Sequence, residues 1–349
     1  MLTILLVIIV WGQESLHERT GADGLPPFSA PLTGFLEATQ KPISPSPSIE
    51  IVEVISESDD KQGNISDNLL KQGKPSYNLL FPEPDLYSSH ALVLSLDSEE
   101  ILLDKGSKEK IYPASLTKIM TVITAIENLE DLNKQITISQ KIINELKAEN
   151  ASMAGFLPGE KAAAIDLLYG AMLPSGGECC LSLAEDIAGS EAAFVRLMNE
   201  KAAELGMEQT QFMNTTGLHD PEHYTTVWDL AVLLKYSLQN DTFRQIFTAR
   251  KHSTSPTNLH PDGITMYSTM FQKLPKDIPD DFKLLGGKTG YTGKAGLCLA
   301  SLAKIGDREY IMVSAGAEGN HNTEQYNLTD ALSVYGLIGH KQFVDKAGS

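Results

Sequence analysis

Three regimes of hydrophobic and polar patterning divide the chain. From Gly12 to about Pro84 there is little periodicity. Prolines interleaved with serine (Pro42, Pro45, Pro47) and the acidic residues Glu50, Glu53, Glu57, Asp59 and Asp60 predict a tether without a packed core. A globular part begins near Asp85. His90–Leu96 and Ile101–Leu103, joined by Asp97-Ser98-Glu99-Glu100, predict a β-hairpin. Leu116, Ile119, Met120, Ile123 and Ile126 recur at helical spacing, which predicts a helix from Ser115 to about Leu129 with Pro113 in its first turn.

From about 133 to 250 the pattern is mainly helical. Helices are predicted over Ser139–Ala148, Lys161–Leu173, Cys180–Leu205 and Thr226–Leu238. Near Lys283 the period changes again. Leu284–Gly290, Gly296–Ala303 and Glu309–Ala315, with a turn at Gly306-Asp307, predict adjacent antiparallel strands. A helix over Thr323–Ile338 closes the domain, leaving 339–349 as a tail. Strands at both ends with helices between them predict an α+β domain over 85–338. Its one sheet is built from the two ends, with a helical insertion at about 133–250.

Charge narrows the partners. The 349 residues carry a net charge of −17, which disfavours nucleic acid and simple adhesion to an anionic membrane surface. The apolar run Leu2–Trp11 has the length of a signal-peptide core and is too short to span a bilayer as a free-standing helix. Residues 1–11 are therefore read as an export signal or the remnant of an N-terminal anchor, in preference to a mis-assigned start or a buried strand. The three cysteines, Cys179, Cys180 and Cys298, do not form a disulfide framework by count or spacing, and buried free thiols are expected. No cysteine–histidine spacing resembles a zinc site, and His219, His223 and His260 are read as polar loop residues. No metal or cofactor is expected.

Chemistry concentrates at Ser115-Leu116-Thr117-Lys118. Residues three apart share a helix face, and an amine beside a hydroxyl can act as a base that makes the serine a nucleophile. Ser-x-x-Lys also occurs at Ser58, Ser107 and Ser301, but only Ser115 opens an apolar helical pattern. The bland alternative is a helix-capping serine and a solvated lysine. Two further short motifs follow. Ser175-Gly176-Gly177 lies 60 residues on, between two predicted helices, and Lys288-Thr289-Gly290 lies 113 further, at the end of a glycine-rich strand. A given tripeptide such as the last arises by chance on the order of 0.04 times in a chain this long.

In this order the three motifs resemble those of serine-type D-alanyl-D-alanine carboxypeptidases, the low-molecular-mass penicillin-binding proteins. The resemblance covers about residues 85–338. It extends to Pro113–Thr121, to Phe212–Leu218 followed by His223–Ala231, and to Gly286–Thr292 with Ala295-Gly296. It implies a three-layer α/β/α fold with a mainly antiparallel sheet, of the serine β-lactamase and D,D-peptidase kind. It further implies an enzyme of the cell envelope that takes peptidoglycan stem peptides ending in D-Ala-D-Ala and is acylated by β-lactams. Ser115 would be the nucleophile, Lys118 the general base and Ser175 a proton relay. Lys288, Thr289 and Gly290 would bind substrate, and the backbone N–H groups of Ser115 and Tyr291 would form the oxyanion hole.

The sequence departs from that family at Gly177, where the second motif usually ends in asparagine. Many relatives also carry a C-terminal β-rich domain and membrane helix, so anchoring here is expected through the N-terminus. Two other readings use the same motifs. A β-lactamase would need a deacylating glutamate, and no Glu-x-x-Leu-Asn-like segment lies between Ser175 and Lys288. A silent penicillin- or muropeptide-binding sensor is favoured only by Gly177.

Overall fold

The computed structural model describes residues 85–347, so the predicted N-terminal segment (1–11) and linker (12–84) lie outside the described residues. Strands β1 (His90–Ser95) and β2 (Ile101–Lys105) form the predicted hairpin. A 3₁₀ turn (Ala114–Leu116) leads into helix α1 (Thr117–Asn128). Strand β3 (Gln135–Thr137) and α2 (Gln140–Ala148) follow, then β4 (Lys161–Ala163) and α3 (Ala164–Met172). Next come α4 (Gly177–Ala188), α5 (Glu191–Glu204), α6 (Val227–Ser237) and α7 (Asp241–Thr248). A small hairpin, β5 (Lys251–Ser253) with β6 (Thr265–Tyr267), precedes the short α8 (Thr269–Lys273). Strands β7 (Lys283–Thr292), β8 (Gly296–Ile305) and β9 (Arg308–Ala317) and helix α9 (Tyr326–Ala347) complete the chain.

The main sheet has five strands in the order β2-β1-β9-β8-β7, every pair antiparallel. The first hairpin joins the last three strands through β1 and β9, with Leu92 opposite Val313. The sheet is thus built from both ends of the domain, as the pattern predicts. Both faces are covered, which is why β1 reads as a nearly continuous apolar run instead of an alternation. Leu92, Leu94, Ala300, Leu302, Ile311 and Val313 pack on one face against α1, α6 and the other helices of the insertion. Ala91, Val93, Leu299, Ala303, Tyr310 and Met312 pack on the other face against Ala331, Val334, Tyr335 and Ile338 of α9. Full burial of one such side chain stabilises by about 1.5–3 kcal/mol. Polar bonds set α9 in register: Tyr335 Oη lies 3.0 Å from Ser301 Oγ, and Asn327 Nδ2 donates to the Cys298 carbonyl.

Several predicted boundaries move. Cys180–Leu205 is two helices, because Gly189 ends α4 in the left-handed region (φ 76°) and Ser190 starts α5 by accepting the Ala193 N–H. Lys161–Ala163 is not helical, since it pairs with Gln135–Thr137 as a strand. The last helix runs past Ile338 to Ala347, so the backbone of the expected tail is largely helical. The helix α7 and the β5–β6 hairpin had no prediction. All three cysteines are free and buried, as expected.

Candidate active site

The turn before α1 presents Ser115, and the surrounding residues explain how it stays there. Ala114 has φ 47°, unusual for a residue with a Cβ. Its carbonyl accepts the Thr117 hydroxyl proton at 2.8 Å. Thr117 Oγ1 in turn lies 2.9 Å from Nε2 of His223, and Nδ1 of His223 accepts the Met213 N–H at 3.2 Å. With Nδ1 an acceptor, the ring proton sits on Nε2 and points at Thr117. Burial pushes His223 down to about 4, so the ring is neutral at physiological pH. Two glycines let other segments close on this turn. A Cβ on Gly217 (φ 80°) would meet the Ala114 carbonyl oxygen at 1.8 Å, and one on Gly290 of β7 would meet the Ser115 nitrogen at 3.1 Å.

Lys118 lies one turn further along the same face, 3% exposed. Its Nζ donates to Ser115 Oγ at 3.2 Å and to the Thr216 carbonyl at 2.5 Å. The Thr216 loop is itself braced. Asn214 Oδ1 accepts the N–H groups of Thr216 and Gly217, and Glu191 accepts both the N–H and the hydroxyl of Thr215. Burial pushes the Lys118 ammonium down from its usual range, against the opposing pull of Cys180, Glu178 and Cys179. The helical capping alternative for Ser115 does not hold, as no side-chain cap bond forms at either junction of this turn.

Across the cleft, Ser175 sits at φ 69° just before α4, whose N-cap is Gly176 rather than Ser175. Its hydroxyl accepts from Lys288 Nζ at 3.0 Å, and the same ammonium donates to the Thr289 carbonyl at 2.9 Å. Lys288 is fully buried and held well below its usual range, first by burial and then by the charge of Lys118. Thr289, by contrast, lies on the cleft wall, its hydroxyl 2.7 Å from that of Thr269. The cleft encloses about 260 Å³. It is lined by Ser115, Ser152 and Ser175, by Thr289, Gly290 and Tyr291 of β7, and by Lys273 and His321. His321 packs edge-on against Tyr291.

All seven residues singled out in the sequence therefore meet around one cleft or directly behind it. Sequence reasoning missed the groups that hold them. The Thr216 acceptor is a backbone carbonyl and leaves no signature. His223 lies in a loop, as expected, but as a buried strut, 2% exposed. Its position within the matched His223–Ala231 segment was the available signal. His260 ties to the buried Glu160 and His219 packs edge-on against Tyr112. Neither joins the cleft.

This arrangement offers a nucleophile, an adjacent amine driven toward neutrality, and a hydroxyl–ammonium pair facing them: the parts of an acyl transfer. Comparisons with known proteins agree. The chain is 36% identical over 231 residues to D-alanyl-D-alanine carboxypeptidase DacF of Bacillus subtilis, covering 65% of this chain and 57% of that protein. It is 30% identical to D-alanyl-D-alanine carboxypeptidase DacB2 of Mycobacterium tuberculosis, covering 66% and 75%. The chain thus spans less than two thirds of the length of the Bacillus relative. The fold matches the crystal structure of the Streptomyces K15 DD-transpeptidase with a TM-score of 0.66 at 23% identity, covering 74% of this chain and 100% of that one. Residues 80–319, well over half of the sequence, match the Peptidase S11 family model, and the chain belongs to that family, the D-alanyl-D-alanine carboxypeptidases.

Proposed function

We propose that the protein is a serine D,D-carboxypeptidase that removes the C-terminal D-alanine from peptidoglycan stem pentapeptides through an acyl-enzyme on Ser115. The observation that carries this reading is the buried Lys118 amine, driven toward its neutral form 3.2 Å from Ser115 Oγ. Ser115 Oγ attacks the carbonyl carbon of the penultimate D-alanine and its proton passes to Lys118. The oxyanion is held by the N–H groups of Ser115 and Tyr291, with Gly290 allowing that close approach. Collapse breaks the peptide bond, and the departing amine takes its proton through Ser175. Water then hydrolyses the ester and restores Ser115.

Thr289, on the cleft wall, receives the substrate's terminal carboxylate. Lys288 serves from behind, fixing the Ser175 hydroxyl. The enzyme works outside the cytoplasm in the cell envelope, exported or anchored through residues 1–11, and β-lactams acylate the same serine. The test is D-alanine release from a pentapeptide ending in D-Ala-D-Ala by the full chain beside Ser115→Ala. Release confined to the wild type is expected. No release from the folded wild type, or equal release from the variant, overturns the reading.

A further inference from the structure

The cleft has a third serine that the reaction above does not use. Ser152 is exposed and lines the cleft with Ser115 and Ser175. Its backbone is fixed by the two residues that follow the Ser175-Gly176 pair. The Gly177 N–H donates to the Ser152 carbonyl at 2.8 Å. Glu178, fully buried, accepts with Oε1 from the N–H groups of Ala154 and Gly155 at 2.7 and 2.9 Å, and from Phe156 at 3.4 Å. The Ala151 N–H closes on the Leu146 carbonyl at 2.9 Å. Residues 151–156 are therefore tied at five positions although they belong to no helix or strand.

The glycines permit this docking. A Cβ on Gly176 would meet Ala154 Cβ at 2.7 Å, and one on Gly177 would meet Leu146 Cδ2 at 2.9 Å and the Ser152 carbonyl oxygen at 3.4 Å. At position 177 a side chain would have to displace the end of Leu146, and with glycine the adjoining segment packs close. Its single polar side chain on the cleft wall is Ser152.

The cleft is also lined by β7, the end strand of the sheet, which can pair with an extended peptide along Gly290–Thr292. Such a peptide has a second edge. Ser152, lining the same cleft, offers that edge a hydroxyl held by a rigid backbone and free of the proton transfers assigned to Ser115, Lys118 and Ser175. We propose that Ser152 is a substrate-contacting residue whose hydroxyl hydrogen-bonds the peptide group on the acyl side of the scissile bond, with Gly177 and Glu178 positioning it. This rests on the carboxypeptidase reading and deepens it, because it gives the site a grip on the part of the stem peptide that is retained.

The experiment measures second-order acylation of the full chain by two β-lactams. Benzylpenicillin carries an acyl-side amide, and 6-aminopenicillanic acid has a free amine in its place. Ser152→Ala is expected to slow benzylpenicillin about 3- to 10-fold, the worth of one neutral hydrogen bond, and 6-aminopenicillanic acid by less than about twofold. Ser152→Thr, which keeps the hydroxyl, is expected to recover the benzylpenicillin rate. A merely structural role would slow both compounds together. Equal slowing of both, or no slowing of benzylpenicillin, overturns the proposal. A wild type that neither compound acylates, indistinguishable from Ser115→Ala, instead removes the reading beneath it and the proposal with it.

Discussion

His223 shows how a buried residue behind a cleft can set the geometry of one that lines it. It is buried beside Thr117, and its ring nitrogen accepts a backbone proton, so only the neutral ring fits. Burial lowers it from 6.5 to about 4. Above pH 6.5 both folded and unfolded chains hold it neutral, and its contribution is fully present. As pH falls below 6.5 the unfolded chain takes up the proton first, so stability declines until the folded ring also titrates. The loss from this one group is about 3 kcal/mol between pH 6.5 and 4. Urea unfolding across that range should show a shallower decline for His223→Asn than for the wild type. Parallel curves would sink the assignment. Lys118 and Lys288 were legible because their motifs are contiguous and carry their own chemistry. His223 acts 106 residues away from its partner Thr117, through a contact that only folding creates.

Secondary-structure elements were legible where one period ran on and misread where a local signal overrode it. Alanine-rich spacing runs through Cys180–Leu205, yet Gly189 and Ser190 stop one helix and start the next. The break matters to the site, because Glu191, the first residue of α5, braces Thr215 beside the Lys118 acceptor. Ser190→Ala removes the cap on Ala193 and should cost about 1 kcal/mol of stability. A denaturation midpoint unchanged from wild type would show that the cap contributes nothing. Strand β4 was unreadable for another reason. Three residues, Lys-Ala-Ala, have no strand propensity of their own and are extended only because Gln135–Thr137 lies alongside.

At the scale of the whole molecule, the domain's two ends are fastened together. Asp330 on α9, 1% exposed, accepts the N–H groups of Tyr87 and Ser88 at 2.9 and 2.8 Å, while Lys105 Nζ donates to the Leu86 and Ser88 carbonyls. Asp330→Ala strands one buried and one part-buried donor and should cost about 1–3 kcal/mol, read as a lowered thermal midpoint. The variant Asp330→Asn, which keeps one acceptor, should lose less; equal midpoints for Ala, Asn and wild type would refute the role. The pairing of β1 with β9 has a further consequence, for how the protein is made. Ser115 and Lys288 are brought to one cleft by a sheet whose first strand waits for its partner until residues 308–317 exist. Contacts so distant in sequence fold slowly. A growing chain emerging from the ribosome therefore carries Ser115 for most of its synthesis without the strand that completes the sheet. The sheet is complete only when the last strand lies between the first and β8.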